Sequence, residues 1–100
     1  PTEGPQQSRK VMEMTKTQKI EKLRRAAVAL TAERGGDCGP PESPEYHVWH
    51  CIHIVYTRLT NQIHAGIGPT ADWNHLDARY KAGGDDDKEI ARELISRAGL

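Results

Sequence analysis

The sequence predicts an all-α fold, a small bundle of about four helices around one central amphipathic helix. Three observations carry that expectation. Residues 46–64, YHVWHCIHIVYTRLTNQIH, form one long, patterned apolar run. Most other apolar residues recur at helical spacing, and glycine or proline punctuates the chain between these stretches. A hydrophobic fraction of 36% with no phenylalanine allows only a small core, so folding alone is marginal at this length.

In the central run, a period-two reading of His47 to Leu59 mixes histidine with apolar groups on both faces. At about 100° per residue, Val48, Ile52, Val55, Leu59 and Ile63 fall on one stripe instead. Trp49 and Tyr56 widen it to one side and Cys51 lies near the other edge, whereas His50, His53, Thr57, Asn61 and His64 fall opposite. The ends agree with a helix. Ser43-Pro44-Glu45 offers an N-cap, a proline at the first helical position and an early acid. His64-Ala65-Gly66 offers a late histidine and a glycine stop.

Along the chain, residues 1–13 mix Pro, Gly, Gln and charge without periodicity. They read as a disordered leader or expression remnant, with Met12 and Met14 each suited to a native start, and leave 14–100 as a single helical domain. Thr15 and Gln18 match a capping box, an interior rich in Ala, Leu, Lys, Arg and Glu follows, and Gly35-Gly36 stops this first helix. Its Ile20, Leu23, Ala27 and Leu30 share a narrow apolar stripe; Lys22, Arg25 and Ala29 face away. Residues 35–44, GGDCGPPESP, form a sharp loop that carries Cys38. Beyond the central helix, Ile67-Gly68-Pro69 is a break, and Thr70 is suited to cap a third helix over 70–82 in which Trp73, Leu76 and Tyr80 recur. Gly83-Gly84 ends it. Asp86 with Glu89 offers a capping box for the last helix, whose Ile90, Ala91, Leu94 and Ile95 share a face and whose Leu100 packs back on the final turn. The expected core sets the central stripe against the first helix, closed by Trp73, Leu76, Ile90 and Leu94.

Fourteen basic and fourteen acidic residues balance to zero, which argues against a global electrostatic attraction to nucleic acid or membrane. The balance hides an asymmetry. Residues 1–34 hold eight Lys/Arg against four Glu, a net +4, and the remainder is correspondingly acidic. Two cysteines, no signal-peptide pattern and no apolar run near 18 residues fit a cytoplasmic, reduced protein. A Cys38–Cys51 disulfide is the alternative for an exported chain.

Four constellations have chemistry to offer. Cys38, His47 and Cys51 are the best zinc candidates, since His47 and Cys51 stand one turn apart and the loop brings Cys38 near. No C-x2-C pair exists, and solvated histidines beside a half-buried cysteine are the plainer reading. Catalysis would pair Cys51 with His47 as base, with Asp72, His75 and Asp77 as further acid/base groups. A thiol beside an apolar stripe is normally inert packing, and no phosphate loop, GxSxG or HExxH is present, so no enzyme and no cofactor are expected. Lys16, Lys19, Lys22, Arg24 and Arg25 make a basic side on the first helix that suits phosphate contacts, with Arg58 as a further contact from the central helix. Protein binding is the leading expectation: a regulatory protein that binds one macromolecular partner or itself through Trp49, His50, His53, Thr57 and Asn61. A helical DNA-binding regulator is the alternative, and a structural zinc site in the histidine-rich helix is the next. The run Asp85-Asp86-Asp87 reads as N-terminal charge on the last helix.

Overall fold

A computed structural model of the chain describes residues 14–73 and 85–100, with Asp85 by its backbone alone. Among the described residues there are three helices and no strand: α1 (Lys16–Glu33), α2 (Pro44–His64) and α3 (Asp85–Ala98). Both complete hairpin helices begin where local chemistry predicts. The Thr15 hydroxyl accepts from the Gln18 N–H while the Gln18 side chain accepts from the Thr15 N–H, closing the capping box of α1. Ser43 caps α2 by accepting from the Tyr46 N–H, with Pro44 first in the helix and Glu45 in its first turn. Gly35 and Gly66 follow α1 and α2 with φ of 73° and 78°, a conformation in which an L side chain is strained.

The short loop makes α1 and α2 antiparallel neighbours, and α3 packs against both. Leu23, Ala26, Ala27 and Leu30 of α1, Ile52, Val55, Leu59 and Ile63 of α2, and Ile90, Ala91, Leu94 and Ala98 of α3 form one buried core. Val48, Trp73 and Leu100 pack on it half-buried, Leu100 through the glycine-stopped end of α3. Glu33 and Arg97 join the C-terminal ends of α1 and α3 by an ion pair.

Three expectations are corrected. The predicted third helix does not begin at Thr70, because residues 71–73 are not helical. The buried Gln62 side chain occupies that segment instead: its Oε1 accepts from the Thr70 N–H at 2.6 Å and its Nε2 donates to the Asp72 carbonyl at 2.7 Å. The rest of that helix, with Leu76, His75, Asp77 and Tyr80, lies outside the described residues, as does the 1–13 leader. Asp86 lies within α3 rather than capping it; Asp87 stands in the first turn of α3, as N-terminal charge, and is buried at 7% exposed. Finally, Arg58 is 2% exposed and belongs to the interior.

Candidate functional site

A groove of about 540 Å³ runs between α1 and α2. Ala27 and Ile52 form its floor. Arg24, Val28, Thr31 and Ala32 make one wall, Trp49, His53 and Tyr56 the other, and the loop residues Gly36, Asp37 and Cys38 close one end. Val28 stands 60% exposed on the lip. An apolar groove between antiparallel helices suits a helix or other apolar ridge laid into it.

The α2 wall is a ladder of rings at i, i+3 and i+4 spacing. Trp49 stacks on His53 with centroids 4.8 Å apart and planes within 9°, and Tyr46 stacks on His50 at 5.6 Å and 15°. Tyr46 also meets Trp49 at 5.4 Å, and His53 meets Tyr56 at 6.2 Å. Rings held against one another lose little further freedom on binding, which is why such residues serve as anchors.

Gly36 explains why the loop seals the groove. Its N–H donates to the Thr31 carbonyl at 2.8 Å, and the Asp37 N–H donates to the Glu45 carbonyl at 3.0 Å. A Cβ on Gly36 would meet Thr31 Cγ2 at 2.8 Å and the Trp49 backbone nitrogen at 3.0 Å, so only glycine lets the loop lie this close to the start of α2.

Of the five residues expected to bind a partner, Trp49 and His53 line the groove, and His50 joins them through Tyr46. Thr57 and Asn61 do not line it. The Thr57 hydroxyl donates to the His53 carbonyl of its own helix. Sequence reasoning missed Val28, Tyr56 and Gly36. The apolar i, i+4 pair Val28 and Ala32, lying off the α1 core stripe, was the signal for that wall.

The basic side of α1 is largely engaged. Glu21 accepts from both Arg24, at 2.9 and 2.5 Å, and Arg25, at 3.3 Å. The Arg24 guanidinium holds the Glu21 carboxyl down at about 2. Lys16 donates to the His64 carbonyl at 3.2 Å, while Lys22 and Arg25 line a second cleft beside Arg97 of α3.

The zinc candidates separate. Cys51 Sγ lies 3.7 Å from His47 Nε2, but Cys38 sits in the groove on the other side of α2. Among the described residues no group of three or more His, Cys, Asp or Glu side chains is placed to hold a metal ion. Burial pushes the Cys51 thiol up, and the carboxylates of Asp87 and Asp86 push it further, which keeps it protonated and a poor nucleophile near neutral pH. Both cysteines are free thiols.

Across the core from the groove, Arg58 lies with its Cζ 4.7 Å from the centroid of the Trp73 ring. Burial lowers its pKa, and the negative charge of Asp87 partly offsets that. Arg58 Nε and Nη1, Thr60 Oγ1, Trp73 Nε1 and Asp87 Oδ2 are buried without a hydrogen-bond partner among the described residues.

Comparison with known proteins finds no matching family model, no matching curated protein and no matching solved structure. No described helix is long and apolar enough to cross a membrane.

Proposed function

We propose that the chain is a small, non-catalytic interaction protein that binds one protein partner in the groove between α1 and α2. The observation that supports this best is the groove itself: a buried aliphatic floor at Ile52, an exposed Val28 lip and a preordered wall of stacked rings. A protein partner suits this lining better than nucleic acid does, because the cation that lines the groove, Arg24, is already paired with Glu21. The free thiols Cys38 and Cys51 fit a reducing, cytoplasmic setting.

Cys38 supplies the test, since it is exposed at the end of the groove while Cys51 is half-buried. A photo-crosslinker placed on Cys38 in a Cys51→Ala background should yield protein adducts in an extract of the source cells. Val28→Asp should abolish them while leaving the circular dichroism unchanged. Nucleic-acid adducts, or protein adducts indifferent to Val28→Asp, reject the reading.

A further inference from the structure

We propose that the cleft between α1 and α3 binds the phosphate group of a phosphate monoester. This cleft lies on the other side of α1 from the groove and shares no lining residue with it, so the inference stands apart from the docking reading.

The cleft measures about 300 Å³. Lys22, Arg25, Ala26 and Ala29 line it from α1 at i, i+3, i+4 and i+7, which is one face of a helix, and Arg97 and Ala98 line it from α3. The alanines leave the space and the cations stand around it. No carboxylate lines it.

These cations differ in what they have left to give. Arg97 is held as a wall, since its Nε donates to Glu93 at 2.8 Å and its Nη1 and Nη2 both donate to Glu33. Its charge is answered, yet a guanidinium has five N–H groups, so each Nη keeps one to offer. Arg25 meets Glu21 through Nε alone, at 3.3 Å, because Arg24 takes both oxygens of that carboxylate. Both Nη groups of Arg25 are unbonded among the described residues, and so is the Lys22 ammonium. The α1 wall therefore brings two uncompensated charges, and the α3 wall brings oriented donors.

A phosphate monoester fits this set better than a carboxylate does. It carries about two negative charges near neutral pH and three acceptor oxygens, enough to reach donors on both walls. A carboxylate brings one charge and two oxygens in a plane. The methyl groups of Ala26, Ala29 and Ala98 take the organic part of the ester.

Amide NMR of the full chain, titrated with phenyl phosphate at low salt and about pH 7.5, reads the site by its location. Saturable shifts should centre on Lys22, Arg25, Ala26, Ala29 and Ala98, with a Kd of roughly millimolar or tighter. Benzoate should bind at least about tenfold more weakly, because it brings half the charge. Lys22→Ala with Arg25→Ala should weaken phenyl phosphate at least about tenfold and leave helicity unchanged, since both side chains are exposed. Lys88→Ala removes an exposed cation from the opposite side of α3 and should change nothing. A phosphoserine peptide is the second probe: binding tighter than that of phenyl phosphate assigns the phosphate to a protein side chain, and weaker binding assigns it to a small organic phosphate. Four results overturn the proposal: shifts that never saturate or that spread over the cations of all three helices, benzoate bound as tightly as phenyl phosphate, a double variant that binds like the wild type, or a loss in Lys88→Ala as large as in the double variant.

Discussion

Arg58 is the residue whose charge and position conflict most. Its aliphatic stem lies on the flank of the α2 stripe while its guanidinium rests over Trp73 and within the field of Asp87. Burying a cation and a carboxylate with several of their polar atoms unbonded is expensive, so removing one and removing both should differ in sign. Arg58→Ala strips packing from the core edge and leaves Asp87 buried without its compensating charge. It should cost about 3–5 kcal/mol in urea unfolding. Arg58→Met with Asp87→Leu removes both desolvation penalties at similar volume and should leave stability unchanged or raise it. A double variant as unstable as Arg58→Ala would mean that the pair is worth more than its desolvation. The sequence reading set Arg58 among the outward contacts of the central helix, because local pattern could not say that the segment around Trp73 and the start of α3 would cover it. The covering comes from residues 15 or more positions away, which no local pattern encodes.

The helices are where the sequence was most legible, because caps and stripes are local. Thr15 with Gln18, Ser43-Pro44-Glu45, Gly66 and the α2 stripe are all realised as read. The groove was legible in part: Trp49 and His53 stood out as ring anchors, whereas the wall from α1 depends on how two helices lie together. Gly36 shows the same limit. It was read with Gly35 as a helix stop, yet the left-handed φ is at Gly35 alone, and Gly36 is needed for close approach. Gly36→Ala should therefore destabilise by about 1–3 kcal/mol and loosen the loop end of the groove. Gly39→Ala, whose Cβ would meet only the flexible Asp37 carboxyl at 3.4 Å, should be neutral or stabilising by under about 1 kcal/mol. Equal losses at both sites would refute the tight-approach account. The α1 carboxylates give a pH signature. Glu21 falls from an ordinary 4.5 to about 2 through its bonds to Arg24 and Arg25, and Arg97 depresses Glu33 in the same direction. A folded-state pKa below the unfolded one contributes stability that is present above about 4.5 and lost as pH falls toward about 2. Glu21→Gln should flatten part of that acid limb and leave stability at pH 7 little changed, because an exposed pair is screened. An acid limb unaltered by the substitution would assign the loss to other carboxylates.

At the scale of the whole molecule, three helices share one core in which Leu23, Leu30, Ile52, Val55, Leu59, Ile63, Ile90 and Leu94 are the large buried aliphatics among the described residues. A core this small leaves a narrow margin over conformational entropy. Ile52 touches both requirements, since it is 2% exposed in the core and also forms the groove floor. Ile52→Ala should cost about 2–5 kcal/mol and bring the isolated chain close to unfolding. Val28→Asp changes a side chain that is 60% exposed and carries little core energy, so it should melt with the wild type. The two substitutions therefore separate the groove's lip from its floor: one removes exposed apolar surface, the other a buried group on which all three helices depend. An Ile52→Ala variant that melts with the wild type would show that the narrow margin does not rest on the centre of α2.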